Sequence, residues 1–106
     1  MAQPLENVRV IEMTQALAGP YAAMTLGDMG ADVIKVEIPG QGDQSRGWGP
    51  PFLEGESAYY LSTNRNKRSL TLNIKESAGR EILDALLAGA DVLLTNNPRP
   101  DSLRAA

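Results

Sequence analysis

Four of the ten Lys and Arg side chains fall within NRNKRSLTLNIK, residues 64–75, where no acidic residue accompanies Arg65, Lys67, Arg68 and Lys75. Such a group suits an anion, and scattered cations suit an extended, multiply phosphorylated ligand better than a single carboxylate. The same spacing also fits a solvated basic loop. A second candidate is TQALAGP, residues 14–20, where small residues and Pro20 precede an expected helix. Free N–H groups and the helix dipole at such a start favour an anion or a carbonyl oxygen; equally, the turn can simply let the helix pack closely. The carboxylates suited to acid, base or nucleophile chemistry are Glu12, Asp28, Asp32, Glu37 and Asp43. None is paired with a base in the sequence, so the spacing singles out no catalytic carboxylate.

The missing residue types narrow the chemistry. Without cysteine there is no disulfide, no thiolate metal site and no thiol nucleophile; without histidine there is no Ser-His or Cys-His arrangement. No metal site is expected. Neither G-x-G-x-x-G nor G-x-x-x-x-G-K-[ST] occurs, so both the dinucleotide fingerprint and the P-loop are absent. Charge is uneven within a net −3: residues 1–63 hold eight acidic and three basic side chains, residues 64–106 five acidic and seven basic. The positive charge is local, and no aromatic side chain is interleaved with Arg65, Lys67 and Arg68, so nucleic acid is not an expected partner. No apolar run approaches the roughly 20 residues that span a bilayer, and MAQPLENVRV does not have the pattern of a secretory signal. A cytoplasmic protein that does not enter a membrane is expected.

These residues must be positioned by a core that 106 residues with 42% hydrophobic content can supply as one domain. VRVIEM, residues 8–13, is short and β-branched, as a buried strand should be. Residues 21–29 fit a helix with apolar positions at Ala22, Met24, Leu26 and Met29, ended by Gly30. ADVIKVE, residues 31–37, predicts a second strand and completes a βαβ unit. Residues 39–51 contain four Gly and three Pro and predict a loop, which extends to residue 63. SLTLN, residues 69–73, a helix over 75–88 facing inward through Ile82, Leu83, Leu86 and Leu87, and ADVLLT, residues 90–95, predict a second βαβ unit. A parallel sheet of this size leaves edges and faces that other parts of a protein normally cover.

In order, the stretches AGPYAAMTLGDMGADVIKVEIPGQGDQSRGW, SAYYLSTNRNKRSLTLNIKESAGREIL and ADVLLTN resemble the N-terminal segment of the family III CoA-transferases, over about residues 6–104. That group includes formyl-CoA transferase, carnitine CoA-transferase and the related 2-methylacyl-CoA racemases. The resemblance implies an α/β fold, a Rossmann-like parallel sheet of βαβ units belonging to a larger interlocked dimer. It implies coenzyme A or acyl-CoA as substrate, with no tightly bound cofactor, and a carboxylic acid as acceptor. CoA-contacting positions carried over from the family are Ala18, Leu72, Lys75, Asn96 and Arg104. The family nucleophile, an Asp that attacks the thioester to give a mixed anhydride, is expected downstream of this chain. The loop GWGPPFLEGESAYYLSTN favours a transferase over a racemase, in which that loop is shortened. A non-catalytic CoA-binding module is the alternative from another class.

Overall fold

The computed structural model describes residues 2–96, so the expected CoA contact at Arg104 lies outside the described residues. Along the chain run β1 (Arg9–Met13), α1 (Ala18–Asp28), β2 (Asp32–Glu37), a 3-10 turn (Gln44–Gly47), β3 (Phe52–Leu53), β4 (Glu56–Ser57), α2 (Ala58–Thr63), β5 (Lys67–Thr71), α3 (Ser77–Ala88) and β6 (Val92–Thr95). The four longer strands form one parallel sheet in the order β5-β2-β1-β6. This is the expected α/β parallel sheet of βαβ units. The first unit moves outward from β1 to β2. The second crosses back from β5, at one edge, to β6 at the other, so right-handed crossovers place α1 and α3 on opposite faces.

Strand alternation then builds two cores. On the α1 face, Val10 and Val33 pack with Ala23, Ala31 and Leu26. On the α3 face, Ile11, Ile34 and Val36 pack with Leu72, Leu83, Leu86 and Leu87. Leu83 has no exposed surface, and truncating it to Ala would cost about 2–5 kcal/mol. Helix α1 ends as expected at Gly30, whose φ is +103°. The Gly30 N–H donates to Gly27 O at 3.0 Å and the Ala31 N–H to Leu26 O at 3.1 Å; this paired closure needs the left-handed residue that glycine tolerates best.

Four details differ from expectation. Helix α1 begins at Ala18 rather than residue 21, because Pro20 sits in the first turn, where its missing N–H would have had no helical partner. Ala22, Met29 and Ile82 face outward, and the buried positions are Pro20, Ala23 and Met24 on α1 and Gly79 and Leu83 on α3. The third strand of the sheet starts at Lys67 rather than Ser69, since Lys67 is in register with Val33 and Arg68 with Ile34 of β2. Segment 39–63 is more than a loop: it holds the 3-10 turn, the β3–β4 hairpin and α2. Among the described residues, no helix is long and apolar enough to cross a membrane.

Candidate functional site

At the carboxyl ends of the strands, where the crossovers leave the sheet, a crevice opens over the ends of β1, β2 and β6. This is where open α/β sheets bind ligands. Here it is a cleft of about 280 Å³ lined by Met13, Thr14, Gln15, Glu37, Ile38, Asp43, Ile74, Thr95 and Asn96, among others. Its lining mixes apolar Met13, Val36, Ile38 and Ile74 with buried polar Thr14, Glu37 and Asp43.

Three connections bring the family-implied positions to this edge. Ala18 is exposed at the first residue of α1. No side chain caps that helix start at Leu17. Gly19 is required here, since a Cβ on it would lie 2.4 Å from Thr14 Cβ. Asn96 lines the cleft, and its Nδ2 donates to Gln15 O at 3.3 Å. Leu72 is different: it is buried in the α3-side core, with its N–H donating to Glu37 O at 2.9 Å. Lys75 is exposed next to Ile74, which lines the cleft. Of the eight described Lys and Arg residues, it is the one outside an ion pair.

The basic stretch, by contrast, is divided. Arg65 pairs with Asp28 at 2.7 Å and Arg68 with Asp32 at 2.7 Å, both exposed and at the amino end of the sheet, away from the cleft. Hydrogen bonding from Arg65 holds the Asp28 carboxyl below its ordinary value. For Asp32 burial pushes upward, but Arg68 and Arg9 outweigh it and the net direction is down. Strand alternation turns Lys67 inward, where its side chain is 3% exposed and its Nζ stands 2.8 Å from Glu12 Oε1. Arg65, Lys67 and Arg68 therefore do not form one anion site.

Lys67 belongs to a buried polar cluster beneath the cleft, in which Glu12, Glu37 and Asp43 join Lys35 and Arg46, two cations that the sequence spacing had not singled out. Glu12 and Lys35 lie opposite one another in register on the α1 face of the sheet. Lys35 Nζ is 3.1 Å from Glu12 Oε2 and 2.8 Å from Asp43 Oδ2, and it donates to Thr14 O at 3.2 Å. Arg46 donates twice to Glu37, at 2.9 Å each, and once to Tyr60 Oη at 2.6 Å, with its guanidinium over the Tyr60 ring. Three carboxylates thus meet three cations, which is how charges survive in an interior. Burial pushes Asp43 upward, but Lys35 and the Ser45 donors win and hold it below its usual value. Glu37 is likewise lowered, burial being outweighed by Arg46 and Ser69. Burial lowers Lys67, against the pull of Glu12, and raises the Tyr60 phenol to about 12. The available signal was a charge inside each β-branched run, Glu12 in VRVIEM and Lys35 in ADVIKVE.

None of the described carboxylates is left free beside a base, and no cluster of described residues could hold a metal ion. What the arrangement offers is a preformed ligand crevice.

Fold and cleft together define a doubly wound α/β segment with its binding edge at the switch in strand order. The family model for CoA-transferase family III matches residues 5–105, and the chain belongs to that family. It is 55% identical over 94 residues to a succinyl-CoA:glutarate CoA-transferase of Mus musculus, covering 89% of this chain and 22% of that protein. It is 50% identical over 102 residues to a succinate–glutarate CoA-transferase of Agrobacterium fabrum, covering 91% of this chain and 26% of that one. A solved CAIB/BAIF family protein from Brucella suis superposes with a TM-score of 0.87 at 42% identity, over 97% of this chain and 29% of that one. The chain thus spans about a quarter of the length of these relatives.

Proposed function

We propose that this chain is the CoA-binding N-terminal portion of a family III CoA-transferase that moves CoA from an acyl-CoA to a carboxylic acid. The relatives' names point to succinyl-CoA as donor and a dicarboxylic acid such as glutarate as acceptor. The observation that carries the proposal is the cleft at the carboxyl edge of the sheet, in a chain of this family. The adjoining connections bear Ala18, Lys75 and Asn96, and Lys75 offers a cation that no described carboxylate neutralises. Leu72 supports that edge from the core. Arg104 completes the proposed set of contacts.

The proposed chemistry is covalent. A downstream aspartate carboxylate attacks the thioester carbonyl, the C–S bond breaks, CoA leaves as thiolate and a mixed anhydride remains. Exchange with the acceptor carboxylate then yields the new thioester. The role of the residues described here is to hold the CoA handle, so that binding energy remote from the reacting carbon orients it. Exposed Val92 and Leu93 on the edge strand β6 and Ile82 on α3 support assembly with further protein surface in a homo-oligomer.

The test is exchange of labelled CoA between succinyl-CoA and a panel of carboxylic acids by the full-length protein, with hydroxylamine trapping of an acyl-aspartate. Transfer with a trapped adduct is expected. Exchange of only the α-proton of a 2-methylacyl-CoA for solvent deuterium would replace the transferase with a racemase. CoA binding with neither reaction would leave a binding module. Lys75→Ala should weaken CoA about tenfold, as loss of one charge-assisted phosphate bond does. It should hardly affect dephospho-CoA if Lys75 meets the 3′-phosphate.

A further inference from the structure

The connection from β1 to α1 is held in a conformation it would not choose alone. Ala16 has φ +73°, the left-handed region that a Cβ makes unfavourable. Its N–H donates to Asp43 Oδ1 at 3.1 Å, across 27 positions of sequence. The same oxygen accepts from the Ser45 N–H at 2.9 Å and the Ser45 hydroxyl at 2.8 Å. The other oxygen, Oδ2, is 2.8 Å from the Lys35 ammonium. Next to this contact, the Gln44 N–H donates to Gln15 Oε1 at 3.1 Å, and Asn96 Nδ2 reaches Gln15 O from the other side.

Asp43 is 1% exposed, and burying a carboxylate carries a large desolvation cost. Capping the 3-10 turn would need only Ser45, which a solvent-exposed aspartate could serve equally well. The buried position serves two further contacts: the ion pair of Oδ2 with Lys35, and the reach of Oδ1 to the Ala16 N–H, which fixes the two residues leading into the uncapped start of α1. Gln15 and Asp43 both line the cleft. Resting on the proposed reading of that cleft as the CoA site, we propose that Asp43 is a positioning residue. By latching the Ala16 N–H, it sets the direction in which Gln15 and the first N–H groups of α1 meet a bound acyl-CoA.

The experiment is a double-mutant cycle of Asp43→Asn and Ala16→Gly in the full-length protein, with succinyl-CoA as the probe and glutarate as acceptor. Asp43→Asn sets an amide NH2 against the Lys35 ammonium and weakens the latch. It should raise KM for succinyl-CoA about tenfold while changing kcat less than about threefold, and speed hydrogen exchange at the Ala16 amide about tenfold. Glycine adopts positive φ freely, so in the Ala16→Gly background the effect of Asp43→Asn on KM should shrink to under about threefold. A purely structural role would lower Tm and leave KM and Ala16 exchange unchanged; that result, or an equal effect in both backgrounds, overturns the proposal. If Asp43→Asn does not fold, Ser45→Ala removes one hydroxyl donor to Oδ1 and should raise KM about threefold; an unchanged KM then overturns it. Absence of CoA transfer by the wild type would sink the transferase reading. Ala16 exchange would still report on the latch: acceleration in Asp43→Asn supports it, and no change refutes it.

Discussion

Replacing Glu12 by Gln should be among the most damaging single changes to this fold. The Glu12 side chain has no exposed surface, and its two oxygens face Lys35 Nζ at 3.1 Å and Lys67 Nζ at 2.8 Å. With Gln in its place, Lys35 keeps Asp43 at 2.8 Å. Lys67 keeps only neutral acceptors, Asn64 Oδ1 at 2.7 Å and Pro20 O at 3.0 Å. The cluster passes from balanced to one uncompensated buried positive charge, which costs about 3–5 kcal/mol. For a chain this size the fall in Tm is at least about 12 °C, and against a marginal native stability much of the population unfolds. Urea and thermal denaturation measure the loss. The sign of its pH dependence is also fixed. Burial pulls the Lys67 ammonium below its ordinary value of 10.5, so the penalty for keeping it charged is present at neutral pH and relieved as pH rises through its folded-state pKa. The Glu12→Gln deficit should therefore shrink in alkali. Lys67→Met alone removes one cation, and Glu12→Gln with Lys67→Met restores neutrality, so the double variant should be more stable than the sum of its parts by about 1–3 kcal/mol. A Glu12→Gln loss under about 1 kcal/mol, or strictly additive losses, would refute the reasoning.

Acid should destabilise the chain through Glu37 and Asp43, both held below their ordinary values of 4.5 and 3.8 in the fold. The stability they contribute is complete above those values and is lost as pH falls through the lower folded-state ones; Asp43→Asn should flatten that limb of a pH–Tm series. In alkali the sign reverses for Tyr60, whose phenol is raised from 10.0 to about 12. Its contribution is present below pH 10 and lost as pH rises toward 12; ultraviolet titration should show a phenolate step near 12 that Tyr60→Phe removes. Gly79→Ala should destabilise by about 1–3 kcal/mol although Ala is the better helix former, because the new Cβ would sit 1.9 Å from the Asn73 carbonyl oxygen. Equal or higher stability by urea denaturation would show that the start of α3 moves away at little cost.

Much of the fold was legible because its signals are local. VRVIEM and ADVIKVE carry the β-branched runs of buried parallel strands, and Gly30 stands where the helix must close in the left-handed region. What local pattern cannot provide is the partner. Whether Lys67 is a loop cation or a buried one depends on β5 starting two residues earlier, in register with Val33. Once it does, the period of two turns Lys67 toward Glu12 and Arg68 away, toward Asp32. A basic cluster contiguous in sequence is thereby split between the interior and the far end of the sheet, and only Lys75 remains beside the cleft.

The candidate site shows the same division. Ala18, Lys75 and Asn96 were implied by the family resemblance, and the structure puts them just past strands or at a helix start, places that sequence indicates well. Asp43 was noted only as one carboxylate among five, and nothing adjacent to it predicts Ala16 or Lys35 as partners. Yet a trace was present: Glu12, Lys35 and Glu37 interrupt apolar runs in strands that parallel pairing buries on both faces. A charge there must find an opposite charge inside the same core. With Lys67 and Arg46 as cations close to strand ends, a neutral internal network was the only arrangement those strands could tolerate. That requirement explains why the segment 39–63 folds back over the sheet: its Arg46 supplies the cation that pairs with Glu37, and its Asp43 gives Lys35, already paired with Glu12 of β1, a second carboxylate.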